Sequence, residues 1–151
     1  MCITIKEFLA ERIDDVVEFE KALRAQEDFW GWSIDEQYIQ SIQNSFADER
    51  FKHSLSLLAY DGSHVVGRID TTMIASRVDG TLKAYLDWIC VLKSYRHMGI
   101  GQKLMQAIRE QLKERGATEM VAIIAHNDEA LRFYRALENA DIRDEGIWIG
   151  L

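Results

Sequence analysis

Residues 85–104 read YLDWICVLKSYRHMGIGQKL and decide how this chain folds. The first seven are apolar or aromatic apart from one carboxylate, a composition typical of a strand. From Gly101 to Arg115 the apolar residues Leu104, Ile108 and Leu112 recur every four positions and predict an amphipathic helix. The stretch between them therefore passes from a strand to a helix through two glycines.

This loop is the best candidate for a binding site. A helix N-terminus presents unpaired backbone N–H groups and the positive end of the helix dipole, and glycines let the backbone approach a phosphate closely. Residues 96–102 are therefore predicted to hold a pyrophosphate mainly through amides, with Arg96 and Lys103 adding charge. The dinucleotide fingerprint does not match, since Leu104 replaces its third glycine, and the GxxxxGK[ST] pattern of a Walker loop is absent. A plain tight turn is the other interpretation.

Elements on either side of this stretch follow from periodicity. Residues 2–6 alternate and predict a strand, and a helix follows from Glu11. A second helix is predicted from Ser33, with Glu36 as its capping-box partner. Three strands, 55–60, 65–75 and 84–92, are joined by Asp-Gly turns that indicate antiparallel hairpins. The first helix has six residues at helical spacing, one of them polar: Ile13, Val16, Val17, Phe19, Glu20 and Leu23.

After Gly116, which ends the long helix, the chain continues with a near-continuous apolar run. Residues 120–125 predict a strand buried on both faces, and Asn127 opens another helix. Residues 147–149 form a last short β segment. The order β-α-α-β-β-β-α-β-α-β predicts one α/β domain over residues 1–151, a mixed, mostly antiparallel sheet with helices on both faces.

Composition limits the classes of partner. A net charge of -7 argues against nucleic acid and suits a cationic acceptor. No apolar run is long enough to span a bilayer, and the first residues lack a signal-peptide pattern, so we expect a cytoplasmic protein without a membrane partner. The two cysteines form no CxxC pair and the four histidines are far apart, so neither a disulfide nor a metal site is expected.

Two blocks of sequence resemble a known family. Arg96-x-x-Gly99-x-Gly101 resembles the [Arg/Gln]-x-x-Gly-x-[Gly/Ala] signature of the GCN5-related N-acetyltransferase (GNAT) superfamily, and it lies between a strand and a helix as in that family. About thirty residues later, Asn127-x-x-Ala130-x-x-Phe133-Tyr134 resembles the family's second block. The element order agrees from the first strand to the last, so the resemblance covers nearly the whole chain.

The resemblance implies acetyl-CoA as acyl donor, without a metal, and a role for each matching residue. The amides of the loop would hold the pyrophosphate, and the backbone of the preceding strand would pair with the pantetheine arm. The amide of Val91 would polarise the thioester carbonyl, and Tyr134 would protonate the departing thiolate. The donor-binding residues implied are Ile89, Cys90, Val91, Arg96, His97, Met98, Gly99, Ile100, Gly101, Gln102 and Asn127.

Several of these residues have a simpler interpretation. Asn127 is a favoured N-cap residue and serves as a cap, as a pantetheine ligand or as both. Tyr134 has the spacing of a core residue as well as the family's position. Cys90 is interpreted as structural apart from its backbone, because buried cysteines are usually inert.

The acceptor side is less clear. An amine must be neutral to attack, and Asp87 is the candidate proton acceptor because strand period places it on the face of Val91; a solvated strand aspartate is the alternative. Residues 27–36 combine aromatic and acidic side chains, which suits a cation or a hydrophobic plug. Residues 137–142 depart from the family's Gly-Phe pair, and a clipped last strand would be completed by another subunit in a homodimer.

The leading hypothesis is an enzyme that transfers an acetyl group from acetyl-CoA to a primary amine of a small molecule or peptide. The amine attacks directly in a ternary complex, since no activated Ser or Cys is evident. The alternative is an acyl-CoA-binding sensor or interaction module that has lost turnover. A nucleotide-binding domain is disfavoured because the Walker and dinucleotide patterns are missing.

Overall fold

The computed structural model describes residues 1–27 and 32–151, which divide into two compact units, residues 1–121 and 122–151. The predicted order of elements is confirmed except for the last strand. The elements are β1 (Ile3–Glu7), α1 (Ile13–Gln26), α2 (Glu36–Ser45), β2 (Ser54–Asp61), β3 (His64–Ala75), β4 (Leu82–Val91), α3 (Ile100–Glu114), β5 (Glu119–Ala122) and α4 (Asp128–Arg135).

The sheet has the order β1-β2-β3-β4-β5, and its first four strands are antiparallel neighbours. β5 begins level with β4. The amide of Thr118 donates to the carbonyl oxygen of Leu82 at 2.9 Å, and Lys83 Nζ lies 3.2 Å from Glu119 Oε1. Because both strands start at the same end of the sheet, β5 runs parallel to β4. The predicted mixed, mostly antiparallel sheet is confirmed.

Helices cover both faces of the sheet, as predicted. On β3, Arg68 points towards α1, where its guanidinium pairs with Glu20. The next residue, Gly67, points the opposite way, against the α3 side chains Ile100 and Leu104. Neighbouring residues of a strand face opposite sides, so α1 and α3 lie on opposite faces.

The six residues assigned to the inner face of α1 are its buried residues. The polar member, Glu20, is fully buried and pairs with Arg24 and Arg68. Arg68 also donates to Asp70 at 2.9 Å, and Asp70 accepts from Ser56 Oγ at 2.6 Å. Burial favours the neutral form of Arg68, but Asp70 and Glu20 outweigh it and raise the pKa of this guanidinium. The buried carboxylate is therefore compensated rather than isolated.

Three predictions about element boundaries were wrong. The cap of α2 is Asp35, which accepts from the Tyr38 amide at 2.9 Å, because Asp caps as well as Ser and also complements the helix dipole. β5 ends at Ala122 and leaves Val121 49% exposed, so the apolar run is not buried on both faces. Residues 147–149 are 73–80% exposed and form no strand, because suitable residue types do not by themselves provide the backbone pairing that a strand needs.

Among the described residues, no helix is long and apolar enough to cross a bilayer.

Candidate active site

A β-bulge interrupts β4 at Asp87. Asp70 pairs with Trp88, and its neighbour Thr71 pairs with Leu86, which leaves Asp87 as the extra residue of the strand. A bulge of this kind shifts the alternation of side chains and of backbone groups by one position. Asp87 itself is exposed.

The bulge turns backbone groups of the last part of β4 towards the outer side of the strand. The Leu92 amide donates to the Val66 carbonyl at 2.9 Å, so Leu92 belongs to a hydrogen-bonded pair with β3. Hydrogen-bonded pairs alternate along an antiparallel ladder. The N–H and C=O groups of Ile89 and Val91 therefore point away from β3, on the side where β5 lies.

β5 is too short to cover this edge. It has four residues and starts level with Leu82, so it spans only the first half of the ten-residue β4. The outward backbone groups of Ile89 and Val91 lie past its end. β5 therefore places no strand residue beside them.

Asp87 was placed on the face of Val91 by assuming that side chains alternate regularly along β4, and that assumption was wrong. Tyr85 pairs with Thr72 and therefore shares the α1 face, whereas Val91 pairs with Gly67 and shares the α3 face. Regular period 2 would have put Tyr85 and Val91 together. The extra residue at the bulge separates them.

The loop after β4 forms a turn that directs amides outward. Gly99 is left-handed, with φ 77°, and is the N-cap of α3. The first amide bonded within α3 is that of Lys103, which donates to the Gly99 carbonyl at 3.1 Å. The preceding first-turn amides, those of Ile100, Gly101 and Gln102, therefore have no acceptor within the helix. A Cβ atom built on Gly99 would meet nothing within 4 Å, so the space next to this residue is open.

The residues of this loop before Gly99 are anchored by contacts within residues 1–121. His97 also has positive φ, at 62°. Tyr95 Oη donates to Asp61 Oδ2 at 3.3 Å. Arg96 folds back onto the strand: its Nε donates to the Val91 carbonyl at 3.2 Å, and its Nη2 pairs with Glu27. The sequence predicted that Arg96 adds positive charge to the pyrophosphate site. In the structure, Glu27 neutralises that charge.

Gly67 is a residue that the sequence interpretation missed. A Cβ here would lie 3.1 Å from Leu104 Cδ1 and 3.2 Å from Ile100 Cγ2, so the first turn of α3 rests directly on the backbone of β3. A glycine inside a strand often marks such a close approach. That signal was present in the sequence and would have connected β3 to the loop.

The side chain of Cys90 points to the α1 face, because Cys90 pairs with Arg68. Burial raises the pKa of its thiol to about 11, although Arg96 acts in the opposite direction. At neutral pH the group is a thiol and a poor nucleophile. This low reactivity agrees with the interpretation of the Cys90 side chain as structural.

In unit 2, Asn127 caps α4. Its Oδ1 accepts from the Ala130 amide at 2.9 Å, so the cap interpretation is confirmed, and the Nδ2 donors are not part of that bond. Burial raises the pKa of Tyr134, whose ring lies 5.2 Å from that of Phe133. Asn139, within the altered segment 137–142, is left-handed, with φ 53°.

Only part of the predicted acceptor segment can be described, since residues 28–31 lie outside the described residues. At its start Glu27 pairs with Arg96. Farther along the segment, the Arg24 guanidinium lies 5.0 Å from the centre of the Trp32 ring, and Trp88 meets that ring edge to face at 6.5 Å. A cation of the protein itself thus already contacts the Trp32 ring.

Within residues 1–27 and 32–151, no group of three or more His, Cys, Asp and Glu side chains is arranged to hold a metal.

The chain is similar to known proteins in sequence and in fold. The chain is 34% identical over 83 residues to N-alpha-acetyltransferase 30 of Schizosaccharomyces pombe, a match covering 54% of this chain and 55% of that protein. The match therefore spans about half the length of this relative.

Two solved structures share the fold. An aminoglycoside acetyltransferase from an uncultured soil metagenomic sample has a TM-score of 0.83 and 18% identity, over 99% of this chain and 96% of its own. AAC(6')-Iy in complex with a CoA-containing bisubstrate analogue has a TM-score of 0.79 and 17% identity, over 100% and 99%. The model of the Acetyltransferase (GNAT) family matches residues 17–138. The chain belongs to this acetyltransferase family.

Proposed function

We propose that this protein transfers the acetyl group of acetyl-CoA to a primary amine by direct attack in a ternary complex. The observation that carries the proposal is the edge of β4 beyond the end of β5, followed at once by the amides of the α3 N-terminus. An extended arm that ends in a pyrophosphate matches this sequence of sites.

On the donor side, the pantetheine arm pairs with the outward backbone groups of Ile89, while the Val91 carbonyl keeps its bond to Arg96. The pyrophosphate accepts from the amides between His97 and Gln102 and gains from the helix dipole. The thioester carbonyl accepts from the Val91 N–H. A fixed donor of this type stabilises the negative charge that develops on the oxygen. Removing a single donor of this kind typically raises the barrier by about 3 kcal/mol.

Transfer begins when the neutral amine attacks the thioester carbon. Asp87 accepts the amine proton directly or through a water; its exposure at the bulge, two residues before Ile89, supports this role. The C–N bond forms, the C–S bond breaks, and the CoA thiolate takes a proton from the Tyr134 hydroxyl. Burial raises the pKa of that hydroxyl, which keeps it protonated for this step.

The α-amino group of a peptide is the acceptor that we put first. The relative with sequence similarity is named as an N-alpha-acetyltransferase, at 34% identity, whereas the aminoglycoside enzymes are similar in fold at 17–18% identity. A net charge of -7 is compatible with any cationic amine. Charge alone therefore does not separate peptides from aminoglycosides.

The test is thiol release from acetyl-CoA with a panel of amines. The panel holds peptides with a free N-terminus, the same peptides N-terminally blocked, lysine peptides and aminoglycosides, and mass spectrometry locates the acetyl group. We expect release with free N-termini and none with the blocked partners. CoA binding without release for any amine would support the sensor alternative, and no CoA binding would contradict the site itself.

A further inference from the structure

Two side chains at the C-terminal end of α1 reach the donor loop. Gln26 Oε1 accepts from the amide of Ser94 at 3.3 Å, and Glu27 Oε1 pairs with Arg96 Nη2 at 2.5 Å. The carboxylate of Glu27 is only 10% exposed and the Arg96 side chain 23%. With this little solvent contact, water and salt screen the attraction between the two charges less than in a surface pair.

Among the contacts that the Arg96 guanidinium makes with described residues, two use different nitrogens. Its Nη2 pairs with Glu27 while its Nε donates to the Val91 carbonyl at 3.2 Å. On the other end of the same peptide, the Leu92 amide donates to Val66. The peptide that joins Val91 to Leu92 is therefore held from both ends, at the last residue of β4.

We propose that Glu27 is a positioning residue that acts through Arg96. It keeps the guanidinium on the Val91 carbonyl and so fixes the end of the strand whose Val91 N–H receives the thioester oxygen. This inference rests on the proposed acetyl transfer. Without Glu27, the Arg96 guanidinium is held less firmly on the Val91 carbonyl, and its positive charge is no longer neutralised by Glu27 beside the site proposed for the anionic cofactor. Loss of Glu27 therefore lowers kcat and leaves the affinity for CoA equal or higher.

The kinetic test uses Glu27→Gln, Arg96→Gln, their double variant and Arg96→Lys, with acetyl-CoA and the best peptide of the panel. We expect kcat to fall about tenfold or more in each, since small displacements of reacting groups are costly. The double variant should be no worse than Arg96→Gln, because one interaction is removed twice. Arg96→Lys should fail to rescue, as a single ammonium does not reproduce the two-sided contact. Calorimetric titration with CoA should show that Glu27→Gln binds at least as tightly as the parent.

Glu18→Gln is the matched control, since Glu18 lies on the same helix, is 74% exposed and pairs only with Lys21 in the contacts of the described residues. It should leave kcat within about twofold, as expected for an exposed pair.

A second readout does not need turnover. The carbonyl carbon resonance of Val91 in the unliganded protein should move in Glu27→Gln and Arg96→Gln and stay in Glu18→Gln. Unchanged kcat in Glu27→Gln, effects that multiply in the double variant, or an unmoved Val91 resonance would each overturn the proposal. If the parent protein binds CoA but transfers no acetyl group, the proposed function has failed, and the Val91 resonance still shows whether Glu27 holds Arg96 in place.

Discussion

Gly67 of β3 lies directly beneath Ile100, the first residue of α3, with only 3.2 Å between the position of its missing Cβ and Ile100 Cγ2. Ile100 and its neighbour Leu104 are buried, at 1% and 0% exposure. The height of the α3 N-terminus above the sheet is therefore set by the absence of a side chain. The amides that we assign to the pyrophosphate belong to that same turn.

Gly67→Ala should disturb both stability and donor binding. The added methyl group must displace Ile100 or Leu104 in a packed core, and we expect the free energy of unfolding to fall by about 1–3 kcal/mol. The affinity for CoA should fall with it, since the first turn of α3 moves. Denaturant unfolding and calorimetry measure the two effects. Gly150→Ala is the control, because a Cβ added there meets no atom within 4 Å. Unchanged stability and CoA affinity in Gly67→Ala would show that the contact of Gly67 with α3 does not determine either property.

Sequence patterns predicted much of this framework. The helical spacing of α1 identified its buried face, including Glu20, because amphipathic periodicity is a local property. The glycine spacing located the turn before α3, and Asp-Gly pairs located two hairpins, because left-handed backbone favours few residue types.

Other features depend on contacts distant in sequence. The bulge at Asp87 inverts the faces of β4, and no residue type at that position indicates it. The side chain of Arg96 turns to Glu27, 69 positions earlier, which a local motif does not encode. The last predicted strand has suitable residues at 147–149 but needs a partner edge, which periodicity does not supply.

Asn and Asp at position 99 separate strain from charge. Both tolerate the left-handed backbone of Gly99 better than other side chains, and both enter open space. We expect Gly99→Asn to reduce CoA affinity moderately and Gly99→Asp to reduce it at least about tenfold further, because a carboxylate replaces an amide beside the pyrophosphate. Titration calorimetry at two salt concentrations measures this. Equal affinities in the two variants would mean that the phosphates bind elsewhere.

A second matched pair tests Asn127. Asn127→Asp keeps the acceptor that caps α4 but removes the amide donors, whereas Asn127→Ala removes both. We expect Asn127→Ala to lose about 1 kcal/mol of stability and Asn127→Asp to lose little. Both should raise KM for acetyl-CoA if the Nδ2 group binds the pantetheine arm. A normal KM in Asn127→Asp would reduce this residue to a cap.

The thiol of Cys90 should react slowly. With exposed Cys2 replaced by Ser, alkylation by iodoacetamide at pH 8 should be far slower than for a free cysteine, and the rate should rise as pH approaches about 11, because burial raises the pKa of the thiol. Acetyl transfer should survive Cys90→Ala with kcat within a few-fold. Two results together would contradict direct attack. They are rapid alkylation of Cys90 that abolishes transfer without blocking the site sterically, and an acetyl group found on Cys90.

Tyr134→Phe tests the protonation of the leaving thiolate. We expect kcat to fall about a hundredfold with CoA affinity largely retained, since general acid catalysis contributes at least that much and the ring is kept.

Because burial raises the pKa of Tyr134 above its ordinary value of about 10, the phenol stays protonated at neutral pH, and the parent kcat should decline only as pH rises past 10. The same shift makes the folded state lose stability over that range, because the unfolded tyrosine ionises first. Rates are therefore compared only where circular dichroism shows the protein folded. The variant should lack the alkaline decline; a decline of equal midpoint in Tyr134→Phe, or a loss of CoA binding with kcat intact, would assign Tyr134 to packing.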